Sequence, residues 1–490
     1  MAYRRAAFGR PALARPVTPA RAGAVRLPDK AGVVVEGDIA AAPTPSGAAG
    51  KLALPVTLFL IAQLVPWVIM LGSMRISIYR LVLMVMIIPC LVMWFSGRAG
   101  RIRLADICIL AYALWCAVAI TVVHGASYAL QSAGMIFIES VGSYFLARCF
   151  IRSADDFYRM TRLLFLFVVV MLPLAAFESF TGRDMARDFL GMFYPTFPDA
   201  PTDPRWGLRR AQVVYEHPIL FGVCTASILA LVHLVLGYGN STPRRWLRSG
   251  VVIGATFFSL SAGPLAALAA QFLLLVWNGT LRFIQQRWKI LVSFAFAAAV
   301  VLELFSNRSL PSIFISYFSF DEGSARTRLN IWEYGTIAVM NKPLFGAGFF
   351  EWERPSWMTP SIDMFWLIDA IRHGIPAEVL MLATFFATVL PVALKRVDDE
   401  RVSTYRTAYV ISMTGLFLAG WTVYFWNATF VLVIFLLGSG VWIRDVPDPG
   451  SPEGKRRRRD RAFPADTQNY GTDLRLSRRG RSIAGTGPGS

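Results

Sequence analysis

The chain strings its apolar residues into long uninterrupted runs, neither alternating nor spaced at 3.6 residues. Alternation would announce half-buried strands, and a 3.6-residue period a surface helix packed on a core. Continuous runs announce segments that are apolar all round. Twelve such runs can be marked, near residues 53–72, 80–96, 104–123, 128–147, 163–180, 217–237, 249–262, 264–278, 290–306, 376–394, 407–424 and 427–443. A membrane-crossing helix needs about 20 mostly apolar residues. The pattern therefore predicts an all-α polytopic membrane protein with about 12 transmembrane helices. The seventh and eighth runs are short enough to form one hairpin.

Charge adds orientation to this picture. The 490 residues are 55% hydrophobic and 16% charged, with a net charge of +18. In a soluble protein that excess would suggest nucleic acid; here its distribution follows the positive-inside rule, so nucleic acid is excluded as a partner and the lipid bilayer is included. With the amino terminus inside, the cytoplasmic loops hold Arg98, Arg101 and Arg103; Arg148, Arg152, Arg159 and Arg162; Arg244, Arg245 and Arg248; Arg282, Arg287 and Lys289; and Lys395, Arg396, Arg401 and Arg406. Short loops on the other side carry few, Arg75 and Arg80 being the exceptions. Both termini then lie inside, which requires an even number of spans.

The ends differ in composition from the rest. Residues 1–50, rich in Ala, Pro, Gly and Arg, are expected to be a disordered cytoplasmic tail. The Arg4-Arg5 pair is no twin-arginine signal, because Pro11, Pro16 and Pro19 follow where an apolar region should begin. Residues 446–490 are expected to be a disordered basic cytoplasmic tail, whose run from Lys455 to Arg459 anionic lipids would attract. Between the tails we expect spans one to nine over 51–306, a long periplasmic catalytic loop with short helices over 307–376, and spans ten to twelve over 377–445. Cys90, Cys108, Cys116, Cys149 and Cys224 lie in or at the ends of apolar runs without a Cys-x-x-Cys pair, and read as packing residues.

Two outward-facing loops, near 181–216 and 307–376, break the charge pattern. The first carries Arg183, Arg187, Arg205, Arg209 and Arg210; the second Arg308, Arg326, Arg328, Lys342, Arg354 and Arg372. Long loops are usually functional. Glu178, Glu216, Glu303 and Glu378 fall near the outer ends of their predicted helices, so any chemistry is expected on the outer face.

Three motifs stand out. In the first, Arg209 and Arg210 precede Glu216-His217-Pro218. Pro218 suits the first turn of a helix, which puts a titratable pair at its mouth; the alternative is interfacial anchoring, with His217 bonded to backbone. In the second, Ser324, Arg326, Arg328, Asn330, Trp332 and Glu333 precede Lys342-Pro343 and Gly346-Ala347-Gly348. Ser324 can cap a helix whose first-turn arginines oppose the helix dipole, an arrangement suited to a bound anion such as diphosphate. The alternative is ion pairing with Asp321, Glu322 or Glu333. In the third, helical spacing puts Asp363, Trp366, Ala370 and His373 on one face, a carboxylate and an imidazole flanking an aromatic sugar platform, with Arg372 beside them. Asp369 can equally form a structural salt bridge with Arg372 or His373.

The order of these motifs, strongest over roughly 205–375, resembles the O-antigen ligase and O-antigen polymerase family of membrane glycosyltransferases. With the hydropathy profile, the resemblance extends over about 50–445 and excludes both tails. It implies a metal-independent and cofactor-free enzyme of the bacterial inner membrane with a periplasmic active site. Its donor would be an undecaprenyl-diphosphate-linked glycan and its acceptor a second glycan. Arg210, Arg326 and Arg328 would hold the diphosphate. Ligases of the family place a His-Asn or similar pair where this chain has Asp363-Met364, a departure that speaks against transfer to lipid A core. Asp363 followed by Phe365-Trp366-Leu367 resembles the exopolysaccharide-polymerase branch, so the expected function is polymerisation of exopolysaccharide, capsule or O-antigen repeats. Asp363 is the first candidate for general base, followed by Glu216 and His217. Trp366, Arg372 and His373 complete the expected substrate contacts. The alternatives are an O-antigen ligase, a lipid-linked oligosaccharide flippase or polysaccharide transporter, and a non-catalytic partner of other polysaccharide-assembly proteins.

Overall fold

The computed structural model describes residues 50–72, 74–307, 309–317 and 322–448. The tails at 1–49 and 449–490, with Arg4-Arg5 and the Lys455 to Arg459 run, lie outside the described residues, as do Arg308 and Asp321.

The described chain is an all-α architecture with one two-stranded hairpin. In order, it holds α1 (Leu54–Ala62), the hairpin strands β1 (Ile69–Leu71) and β2 (Met74–Ile76), α2 (Ile78–Phe95), α3 (Leu104–His124), α4 (Ala126–Phe137) and α5 (Ser143–Phe150). Then come α6 (Ala154–Thr181), α7 (Met185–Gly191), α8 (Pro218–Ala226), α9 (Thr242–Phe258), α10 (Ala262–Thr280) and α11 (Arg287–Phe305). The second long loop holds α12 (Leu310–Tyr317), α13 (Glu322–Asn341) and α14 (Phe365–His373), and the chain closes with α15 (Ile375–Leu394), α16 (Glu400–Ala419) and α17 (Asn427–Ser439). The hairpin pairs Ile69 with Ile76 and Met70 with Arg75.

Among the described residues, nine helices are long and apolar enough to cross a membrane. Two of these are continued or bridged by π-helical turns, at Ile138–Gly142 between α4 and α5 and at Leu231–Leu236 after α8. Three of the twelve runs do not reach that length and polarity. The first is cut short because α1 ends at Ala62, after which Gln63 and Pro66 lead into the hairpin. The seventh run lies in α9, a helix of 17 residues separate from α10, and the eleventh lies in α16, which opens with Glu400, Arg401 and Arg406.

Burial separates central from peripheral helices. The helix through Pro218–Leu236 is 94% buried and the one through Asn427–Asp445 is 83% buried, whereas α11 buries none of its residues. Phe294, Phe296 and Phe305 of α11 stand exposed, the face expected of a helix whose solvent is hydrocarbon. Around the centre, α15 packs along α3, α17 along α5, α10 along α16, and α6 along α9.

The central helix is broken, and its freed backbone groups find partners inside the bundle, as an apolar environment demands. Gln271 of α10 donates Nε2–H to Ala226 O at 2.8 Å and accepts from Ala230 N, while Ser412 of α16 donates to Ser227 O at 2.5 Å.

The segment 307–376 builds a core of its own. Ile315, Ile331, Trp352, Met364 and Ile371 pack together from α12, α13, α14 and the turns between them. The Gly346 and Gly348 motif belongs to this packing: Ala347 N and Gly348 N donate to Ile371 O and Arg372 O. Gly346 has φ +68°, and a Cβ there would meet the Arg372 backbone at 2.5 Å, so a side chain is excluded by both strain and contact. At 20 residues, α13 is not a short helix. It begins at Glu322, so Ser324, Arg326 and Arg328 lie inside it and not at a cap, and the arginines sit past the first free amides.

Candidate functional site

The site is organised by the end of α6 and the irregular segment that closes the first loop. Glu178, in the last turn of α6, is 1% exposed, and its carboxylate accepts from Gln212 N and from Val213 N at 2.9 Å. Val213 has φ +53°, a strained conformation for a β-branched residue. Arg209 reaches the same carboxylate at 3.6 Å and also pairs with Asp199, which in turn holds Arg187 at 2.7 Å. These contacts account for Arg187 and Arg209. They also fix the turn that carries the chain from Arg210 to the start of α8.

Six stretches of chain then converge on a polar pocket of about 260 Å³. It is lined by Asp203 and Arg205, by Arg210, by His217 and Ile219, by Ser261 to Gly263 at the start of α10, by Ser324 and Arg328 of α13, and by Asp363. Four candidate site residues from the sequence thus meet, Arg210, His217, Arg328 and Asp363, together with Ser324 of the second motif. A larger cleft of about 670 Å³ lies among loops around Arg152, Asp399 and Asp448. Its charges are largely committed to each other, Arg401 to Asp155 and Lys395 to Asp448 at 2.7 and 2.6 Å, so the smaller pocket is the better candidate.

Guanidinium groups dominate the pocket. Arg210 donates Nη2–H to Ser261 Oγ at 2.9 Å, and its buried Nε has no partner among the described residues. Burial, with the charges of Arg205 and Arg328, pushes it down to about 10 against the opposing pull of Asp203; it remains a cation at neutral pH. Arg205 donates to Leu260 O at 3.0 Å. Arg328, 7% exposed, donates Nε–H to Thr422 O at 2.8 Å and Nη1–H to Ser324 O. Three arginines around one small cavity, two of them lowering the third, describe a place short of negative charge.

His217 and Asp363 share the pocket with them. His217 is the N-cap of α8, and its Nδ1 accepts from Ile219 N at 3.1 Å, the backbone contact of the anchoring alternative. Asp363 precedes α14, outside any helix, and accepts from Ser361 Oγ at 2.5 Å. The common helical face expected for Asp363, Trp366, Ala370 and His373 therefore does not form.

The remaining candidates lie elsewhere. Glu216 turns away from the pocket into a network: it accepts from Trp426 Nε1 at 3.0 Å and Asn427 Nδ2 at 2.6 Å, and Asn427 links it to Arg80 and Glu139. Trp366 is 6% exposed, donates to Phe417 O at 2.8 Å and packs on Phe385 and Phe417; its ring is core, with no face free for a sugar. His373 is buried beside Asp369 at 3.3 Å, the salt-bridge alternative, and Tyr112 bonds the other oxygen. Arg372 lies over the rings of Phe349 and Tyr424. Arg326 is exposed and does not line the pocket. Conversely, Asp203, Arg205 and Ser261 line it without having been singled out. Arg205 belonged to an arginine-rich loop, but nothing local separates it from Arg187 or Arg209, which are paired.

Among the described residues, no group of three or more His, Cys, Asp or Glu side chains is placed to hold a metal ion. No family model matches the chain, and comparison with curated proteins finds no match.

Proposed function

We propose that the chain is a polytopic membrane glycosyltransferase of the bacterial inner membrane, polymerising polyprenyl-diphosphate-linked oligosaccharide repeats on the periplasmic face. The observation that carries this reading is the convergence of Arg205, Arg210 and Arg328 with Asp363 in one pocket. Diphosphate is the anion that such a cluster suits, since arginine forks match phosphate oxygens two at a time. In the reaction, a hydroxyl oxygen of the acceptor glycan bonds to the anomeric carbon of the donor sugar. The bond from that carbon to the diphosphate oxygen breaks, the leaving oxygen keeps the electron pair, and Asp363 takes the hydroxyl proton. The arginines stabilise the charge that grows on the diphosphate.

A transporter reading would rest on Glu139, the clearest charge within a span. Glu139 is held by Arg80 at 2.8 Å, and the cavity beside its network is about 20 Å³, room for about one water and not for a glycan path. That favours the enzyme. The test is the size distribution of surface and lipid-linked glycans in a deletion strain complemented with wild type, Arg210→Ala or Arg328→Ala. Single repeats outside, with long chains restored only by wild type, support the polymerase. Full-length polymer left on its lipid carrier means a ligase, and repeats trapped inside mean a flippase.

A further inference from the structure

We infer that His217 serves this pocket as a neutral hydrogen-bond donor to the bound diphosphate and does not act as the proton acceptor. The inference rests on the proposed function for the identity of the anion, and on the geometry of α8 for the rest.

A neutral imidazole has one N–H and one acceptor nitrogen, and which is which follows from the bond the other makes. As N-cap, His217 turns Nδ1 toward the helix, where it accepts the amide hydrogen of Ile219. That amide has no intrahelical partner of its own, so the contact is set by the fold. The proton of the neutral ring is consequently on Nε2, which makes no hydrogen bond with any described residue, in a side chain that lines the pocket beside Arg210 and Asp363. Burial and the Arg210 charge hold the ring down to about 4 against the pull of Asp363, and Arg205 and Arg328 add further positive charge to the same wall. A ring with both nitrogens occupied in this way has no lone pair for a hydroxyl proton. What it offers is one directed N–H toward an anion that the arginines have already drawn in, beside the α8 amino terminus, where negative charge is favoured. Of the three candidates named from the sequence, this leaves Asp363 as the one within the pocket, where Asp203 is the other carboxylate in the lining.

Asparagine and glutamine separate the two nitrogens. His217→Asn keeps a good N-cap acceptor and is too short to donate from the Nε2 position; His217→Gln reaches further and restores the donor. Binding of inorganic diphosphate to the purified full chain in detergent, without divalent metal, should weaken about tenfold in His217→Asn and recover most of that loss in His217→Gln. A proton acceptor would behave otherwise: both variants would bind diphosphate like wild type and lose glycan transfer. Imidazole ¹⁵N spectra of the wild type, with His217→Gln assigning the resonance, give a second measurement that needs no variant activity. The Nε2–H tautomer persisting from pH 8 to 5 supports the inference. An Nδ1–H tautomer, or a ring that protonates near 6.5, overturns it while leaving the glycosyltransferase reading intact. Failure of the wild type to bind diphosphate overturns both.

Discussion

Glu178 never enters the pocket, yet the structure makes the pocket depend on it. Replacing it with alanine removes the acceptor for two buried amides, Gln212 N and Val213 N. Each buried donor left without a partner costs about 1–3 kcal/mol, so the closed turn loses about 2–6 kcal/mol. Val213 pulls the same way in wild type and variant alike, because letting the turn unwind relieves backbone strain of about 1–3 kcal/mol now stored at φ +53°. Loss of the acceptor and release of strain both favour the open turn. The mutation therefore shifts the balance toward the open turn by at least about 2 kcal/mol, roughly thirtyfold in the ratio of open to closed forms. Hydrogen exchange at the Gln212 and Val213 amides reads this ratio directly and should accelerate by that factor in Glu178→Ala. Diphosphate affinity should fall with it, because Arg210 and His217 flank the turn. Val213→Gly in the wild-type background supplies the control: it removes the strain without touching the carboxylate, so exchange should slow or stay unchanged. Exchange within threefold of wild type in Glu178→Ala would refute the view that this carboxylate holds the turn.

Other consequences follow from the same geometry. Arg210→Lys keeps a charge but cannot maintain both the Ser261 bond and a fork toward an anion, so diphosphate affinity measured by calorimetry should drop about tenfold, and Arg210→Ala should lower it further. Trp366→Ala should lower thermal stability by about 3–5 kcal/mol, the cost of emptying a buried indole site; unchanged stability with lost sugar binding would restore Trp366 as a platform. His217 is held at about 4 when folded, below the ordinary value near 6.5, so the unfolded ring takes up its proton first. The resulting stability is complete above pH 6.5 and is lost as pH falls from 6.5 toward 4. Melting curves across that window should show a drop in wild type that His217→Gln lacks.

Much of the architecture was legible in the linear pattern because a helix surrounded by hydrocarbon must be apolar on every side. Such a run needs no partner to be recognised, and among the described residues nine helices of spanning length follow it. The same uniformity hides where a run breaks. α1 stops at Ala62 and the central helix is interrupted after Ala226, and the groups that make the second break tolerable, Gln271 and Ser412, are far away in sequence.

The site divides along the same line. By itself the sequence determined that the two long loops are rich in arginine and that Pro218 would open a helix with His217 at its mouth, since composition and capping are local properties. Only the tertiary structure decided which arginines are paired with carboxylates away from the pocket and which line it: Arg187 and Arg209 answer to Asp184, Asp199 and Glu178, while Arg205, Arg210 and Arg328 line the pocket. It also turned Trp366 inward and moved Asp363 off the helix that was to carry it. Ion pairing and burial depend on which distant segments meet, and no periodicity along one chain encodes that meeting.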